Sequence, residues 1–331
     1  MKNISAKVIL EKYSRIIILC LIVLVMALMR PNAFWTWGNI STVLFQQAPF
    51  TMLMSFGMTL AIITKGIDKS MGSVLVLSSV VAGSFIKNEQ LLLGLFVALG
   101  IGALCGLVNG LLITKMGLFP FIATYGVDFV AIGIAYVYTG GASVYGFSQA
   151  FRNFSTGSYG GVTNLALITL AVFLVLHIIT TKTTFGRKMY SAGFNSKAAA
   201  LSGNNVDFTI TMVYIINGLI SAVAGLLYMA RLNAADPGIS GNFTLDSIAA
   251  ALIGGTSFGG GKGSVSNAVV GALIIVFIRN GMNIMGVETT WQQTVVGFII
   301  LFSILLEAAT RKILSMNFMH RRKDAAAGSP V

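Results

Sequence analysis

Charge is what this chain has least of. Only 10% of its 331 residues are Asp, Glu, Lys or Arg, against about 25% in an ordinary soluble domain, while 56% are hydrophobic. A soluble fold of this composition has too few polar groups to cover its surface. Lipid removes the difficulty, because helices satisfy their backbone internally and present apolar side chains to hydrocarbon. Other scarcities exclude whole classes of chemistry. The two histidines, His177 and His320, are far apart and offer no metal-ligand spacing. The ten acids are spread thinly, without a catalytic constellation. The two cysteines, Cys20 and Cys105, lie inside apolar runs and form no disulfide framework. Proline is rare, at 5, whereas glycine reaches 37, which suits a bundle whose helices approach closely.

Ten apolar stretches mark spans, at about 14–30, 47–65, 71–87, 91–113, 118–139, 163–181, 208–230, 245–258, 265–284 and 290–308. The eighth is short and glycine-rich and reads as a partial crossing. The expected fold is therefore all-α: one polytopic membrane domain over residues 1–331, with about ten transmembrane helices, some of them broken. Placing the N-terminus inside puts 17 of the 22 basic residues on the cytoplasmic side, as the positive-inside rule requires. The cytoplasmic parts are then 1–14, a loop at 181–207 and a tail at 311–331. Only Arg30, Lys87, Arg152, Arg231 and Arg279 fall near the outer face. Basic residues at span ends also account for the net charge of +12 without nucleic acid, which would call for one basic stripe with interleaved aromatics.

A weak internal echo links two three-span units. Asp68 opens one and Gly117 follows its second span; Asp246 opens the other and Gly286 follows its second span. The two start from opposite faces, the pattern of inverted repeats in transporters.

Four segments carry the polar chemistry. Gly66-Ile67-Asp68-Lys69-Ser70-Met71-Gly72-Ser73 interrupts two apolar runs. Such breaks occur where backbone lines a cavity or is buried in protein, so Asp68 and Ser70 either cap the next helix or border the solute path. Residues 244–264 are glycine-rich but not a phosphate loop, since Lys262 is followed by Gly263 and an apolar Ala-rich span leads in. The inner loop contains a cap–helix–stop syntax, with Asn195 or Ser196 before Lys197 to Ser202 and Gly203 after it; a short helix across the inner face is something a peripheral partner can grip. Arg279-Asn280-Gly281-Met282-Asn283 ends span nine and either offers amides to a polyol or simply terminates the helix. Asp128, inside span five, is expected to pair with a base from another span or to mark the path.

Together these motifs resemble one family. Gly66-Ile67-Asp68-x-Ser70-x-Gly72-Ser73, Gly186-Arg187 through Ala192-Gly193-x-Asn195, Ala198-Ala199 to Ser202-Gly203, Leu245-Asp246-x-Ile248-Ala249-Ala250, Ile253-Gly254-Gly255-Thr256-Ser257, Gly260-Gly261-Lys262-Gly263 and Asn280-Gly281-Met282-Asn283 are similar to the ribose-type ABC sugar importer permeases, grouped with the branched-chain amino acid permeases. The resemblance covers about residues 15–310. It implies a multi-pass permease in a bacterial inner membrane, with both termini cytoplasmic, moving a pentose, hexose or polyol by alternating access. It implies no catalytic residue, metal or cofactor in this chain, ATP being used by cytoplasmic ABC ATPase subunits, with an extracytoplasmic sugar-binding protein and a second permease copy or paralogue as further partners. The substrate-path candidates are Asp68, Ser70, Phe121, Asp246, Asn280 and Asn283. The ATPase-coupling candidates are Gly186, Arg187, Gly193, Asn195, Ala198, Ala199 and Gly203. Two positions depart from the family pattern: Lys69 replaces an apolar residue and Phe194 a second glycine. Lys69 is expected either to pair locally with Asp68 or to alter solute preference. A secondary transporter or channel is the competing reading.

Overall fold

A computed structural model describes residues 6–241 and 243–305, with side chains from Arg15 onward except at positions 240 and 241. The expectations for the cytoplasmic tail at 311–331, for the first residues of the N-terminal segment and for the last residues of span ten lie outside the described residues. The helices are α1 (Ala6–Met29), α2 (Pro31–Phe34), α3 (Trp37–Thr42), α4 (Ala48–Ile63), α5 (Met71–Lys87), α6 (Leu91–Thr114), α7 (Pro120–Thr139), α8 (Gln149–Thr156), α9 (Asn164–Lys182), α10 (Thr184–Phe194), α11 (Ser196–Leu201), α12 (Val206–Leu232), α13 (Phe243–Ile253) and α14 (Val265–Ile284), then α15 (Thr289–Leu305). The chain is a polytopic helical membrane protein. By length and composition α6, α7, α9, α12 and α14 can each cross a bilayer, and Arg15–Met29, α5 and α15 are shorter apolar helices.

The core lies between α4, α5, α12 and α13, where Met54, Met58, Leu75, Val80, Leu226 and Ala251 pack in one cluster. Fourteen of the sixteen residues of α4 are buried, so this helix faces protein all round. Only four of the twenty residues of α7 are buried, which makes it a peripheral helix. The contact between α6 and α12 is built from glycine. A Cβ on Gly102 would run into the Gly218 carbonyl, one on Gly218 into the Gly102 carbonyl, and one on Gly106 into the Tyr214 carbonyl. This is the close backbone approach that small residues four apart permit in membranes.

Helix α4 continues α3 through a π-helical turn, Val43–Gln47. Pro49 explains it: proline has no N–H for the carbonyl four residues back, leaving Phe45 O free, and the Thr163 hydroxyl donates to it instead. The neighbouring Gln46 carbonyl accepts from Arg231 Nη1 at 3.0 Å. The eleven residues of α13 span only about 16 Å at 1.5 Å per residue, half the hydrocarbon thickness. The helix in the eighth apolar stretch ends at Gly254 and the left-handed Gly255 (φ 78°).

Two irregular segments carry more structure than their composition indicates. Residues 140–162 hold α8 and two-residue strands, Val144–Tyr145 pairing antiparallel with Ala234–Ala235. The inner loop holds two helices. Asn195 Oδ1 accepts from Ala198 N at 3.1 Å to start α11, and Gly203 turns left-handed after it, as the cap–helix–stop syntax predicts. The preceding α10, capped by Thr183 Oγ1 on Gly186 N at 3.2 Å, was not expected, because Gly186 and Gly193 look like loop residues. Gly117 after α6 (φ 68°) and Gly286 after α14 (φ 74°) are both left-handed.

Candidate functional site: the break between α4 and α5

Helix α4 stops because Lys65 adopts a left-handed conformation (φ 64°), with Gly66 N returning to the Ala61 carbonyl at 2.9 Å. Positive φ is uncommon for a non-glycine residue, and surrounding contacts hold it here: Lys65 Nζ donates to Phe194 O at 3.2 Å. The chain then runs irregularly to Ser70, where α5 begins.

Asp68 turns inward and is fully buried. Its Oδ1 accepts from Ser70 N at 3.1 Å and from Ser70 Oγ at 2.7 Å, so it does satisfy an amide at the start of α5. Ser70 Oγ in turn accepts from Asn109 Nδ2 of α6 at 2.8 Å. Asn217 of α12 stands between Asp68 and α4. Its amide donates to Asp68 Oδ2 at 3.4 Å or, turned over, to Gly57 O at 2.9 Å and Val213 O at 3.3 Å. The shorter contacts favour the turned orientation, in which Asn217 ties α12 to α4; only in the other does it reach the break, through Asp68. Asn109 Oδ1 and the Tyr214 hydroxyl have no hydrogen-bond partner among the described residues, and the latter presses against Gly66, where a Cβ would collide with it. Asp68 and Ser70 thus form one buried network joining α5 to α6, with α12 packed on it through Asn217 and Tyr214.

Lys69 turns the other way. It makes no pair with Asp68; its Nζ meets Asp128 Oδ2 of α7 at 2.9 Å, with the two side chains 26% and 15% exposed. Asp128 finds its base from another segment, as expected. Asp128 is the ninth residue of α7, about 12 Å along the helix axis. Lys69 N also donates to Thr124 Oγ1 at 3.1 Å, and Nζ lies 5.8 Å from the Tyr125 ring centre. Phe121 and Tyr125 stack at 5.6 Å, and Phe129 meets Tyr125 edge-on at 4.8 Å. All three rings are exposed. A charge facing lipid at mid-bilayer costs roughly 2.5–3.5 kcal/mol or more, so an ion pair open on this face points to water or protein. Below it, Phe121, Phe119, Lys65, Gly66 and Phe258 line a cavity of about 180 Å³.

The remaining path candidates are not gathered at the break. Asp246 pairs with Arg279 Nη2 at 2.6 Å. Asn280 exchanges two side-chain hydrogen bonds with Asn39, at 2.7 and 3.2 Å. Asn283 Oδ1 accepts from Gln292 Nε2 at 2.6 Å. Each joins helices to one another. The start of α13 does touch the break, through Thr244 Oγ1 on the Lys69 carbonyl at 3.4 Å.

The inner-loop candidates separate into two groups. Arg187, Asn195, Ala198, Ala199 and Gly203 line a groove of about 390 Å³ between α10 and α11, rimmed by exposed Phe194 and beside exposed Leu201. Gly186 and Gly193 instead pack inward, against the Thr180 and Ile63 carbonyls, where any Cβ would clash. Gly261 N donates to the same Ile63 carbonyl at 2.8 Å, and Tyr190 hydroxyl to Gly263 O at 2.9 Å. Burial among these groups raises the Tyr190 pKa above that of a free phenol. The inner loop, the glycine-rich turn after α13 and the end of α4 are thereby fastened together directly beneath the break.

A polytopic helical bundle with an interrupted helix pair, an eleven-residue helix too short to span hydrocarbon and a grooved helix pair over residues 184–201 is the architecture of a membrane transport component. A family model described as branched-chain amino acid transport system / permease component matches residues 39–304. The chain belongs to that family of ABC transport permeases. It is 38% identical to the D-allose transport system permease protein of Escherichia coli (strain K12) over 91% of this chain and 93% of that one. It is 37% identical to the ribose import permease protein of Bacillus subtilis (strain 168) over 92% and 95%. It is 30% identical to the galactose/methyl galactoside import permease protein of Salmonella typhimurium (strain LT2) over 90% and 94%. No solved structure matches the chain.

Proposed function

We propose that this chain is the membrane-spanning permease of an ATP-driven importer for a small neutral sugar or polyol, working by alternating access in a bacterial inner membrane. Near-full-length similarity to allose, ribose and galactoside permeases supports the solute class. The family description mentions amino acids, but an amino acid zwitterion calls for fixed charges of both signs at separate points. The exposed face here offers aromatic rings and a single self-neutralising ion pair, which suits a polyhydroxylated solute.

The observation that carries the mechanism is the fastening of α10 to the end of α4 through Gly193, Ile63 and Gly261. In this reading the groove formed by Arg187, Asn195, Ala198, Ala199 and Gly203 receives a cytoplasmic ABC ATPase subunit. Gly186 and Gly193 transmit its movement to α4, and the Asp68–Ser70 network carries it to α5, α6 and α12. Phe121 borders the solute path. Asp246, Asn280 and Asn283 hold α13, α14 and α15 in register beside it. Ten crossings, the half-length α13 among them, with both termini cytoplasmic, an inverted repeat of α5–α7 and α13–α15, a second permease copy or paralogue, a lipid surround and an extracytoplasmic sugar-binding protein complete the assembly. ATP is used by the partner, and this chain carries no cofactor.

The test is uptake into liposomes holding the permease, its ATPase and its binding protein. ATP-dependent accumulation of a pentose, hexose or polyol that requires all three components is expected. Accumulation by the permease alone, driven by an ion gradient, would overturn the reading in favour of a secondary transporter.

A further inference from the structure

The Lys69–Asp128 pair is more than a helix tie. Its polar capacity is half used: Asp128 accepts through Oδ2 alone, and the Lys69 ammonium donates to one carboxylate oxygen. Oδ1 and two ammonium hydrogens have no hydrogen-bond partner among the described residues, and the pair is reachable from outside. Contrast Asp68, whose neighbours seal it completely. On α7, residues 121, 125 and 128 follow the i, i+4, i+7 spacing of one helix face. The open carboxylate and ammonium therefore stand beside the Tyr125 and Phe121 rings.

Adjacent acceptor, donors and aromatic face are what a sugar ring needs. Vicinal hydroxyls can bridge a carboxylate and an ammonium, while the C–H face of the ring lies on an aromatic surface. We infer that Lys69, Asp128 and Tyr125 form a sugar-contacting site on the exposed face of α7 that sets which polyols pass through the membrane. This rests on the sugar-importer reading above and adds a specificity determinant within the permease, separate from whatever the binding protein selects. Three nearby polar groups, the Thr124 hydroxyl, the Lys69 amide and the Thr244 hydroxyl, are occupied by one another or by backbone. They do not compete for the free valences.

The experiment is reconstituted uptake by the full transporter on a panel of D-ribose, D-allose, D-galactose and xylitol, with ATP hydrolysis measured in parallel. The double variant Lys69→Met with Asp128→Leu removes both charges without stranding either. It is expected to keep hydrolysis stimulated by the loaded binding protein, while sugar delivered per ATP falls about tenfold, the loss of one charge-assisted hydrogen bond, and the order of preferred solutes changes. Tyr125→Leu, which leaves the ion pair in place, is expected to lower delivery about threefold; it carries the test should the double variant not assemble. Variants that deliver the same solutes in the same ratios as the parent would overturn the site. A parent transporter that delivers none of the panel would overturn the sugar reading itself.

Discussion

Asp68 and Lys69 are sequence neighbours with opposite surroundings. Asp68 points into the bundle, where Ser70 occupies its carboxylate and Asn109 holds Ser70 in turn. Lys69 points outward to a partly exposed partner on α7. The difference shows how the seven-residue break between α4 and α5 serves two purposes. The inward residue replaces the missing helix hydrogen bonds and joins α5 to α6, while the outward residue places a charge where hydrocarbon would not accept one. A continuous helix through 63–71 would carry adjacent side chains only about 100° apart and could not separate them so fully.

That contrast can be broken experimentally in graded steps. Asp68→Ala leaves the Ser70 amide and hydroxyl buried without an acceptor, and should lower the unfolding free energy by about 3 kcal/mol. The thermal midpoint of the detergent-purified protein reports it, and Asp68→Asn, which keeps an acceptor, should recover most of the loss. Gly193→Val drives a side chain into the Ile63 carbonyl. It should cost about 2 kcal/mol of stability and, in surviving transporter, separate ATP hydrolysis from uptake. Ser70→Ala removes the acceptor of Asn109 Nδ2 and should cost about 1–2 kcal/mol, with transport selectivity unchanged, unlike the outward-facing pair. Smallest is Lys115→Ala. Its pair with Asp207, at 3.0 Å, has side chains 64% and 48% exposed, and losing it should change the thermal midpoint by the equivalent of less than about 1 kcal/mol. An effect as large as that of Asp68→Ala would mean that ion pairs, not the buried network, hold α6 to α12.

Much of this was legible in the chain because it depends on local chemistry. Hydropathy located the apolar helices, and the short eighth stretch holds an eleven-residue helix. Asn195 and Gly203 bounded α11 as caps and stops do. Other features were hidden because the partner is distant in sequence. Lys69 and Asp128 are 59 positions apart, and Asp246 and Arg279 are 33 apart on different helices. Helix α10 was missed because glycine lowers helix propensity. Here Gly186 and Gly193 are chosen for close approach to the Thr180 and Ile63 carbonyls. The π-helical turn before α4 had a visible cause in Pro49, but its remedy, the Thr163 hydroxyl, comes from 118 residues away.

By itself, then, the sequence determined the solvent, the helices and the family, because composition, hydropathy and short motifs act over a turn or two of chain. Only the tertiary structure decided which polar residues were sealed and which were left open. Whether a carboxylate inside a bundle is a joint or a contact point depends on which helices bring it partners, and that is fixed by packing rather than by its neighbours in the chain. Asp68, Asp128 and Asp246 look alike as isolated acids in apolar segments. One is enclosed by neutral donors, one shares a salt bridge on an open face, and one is held by an arginine from α14.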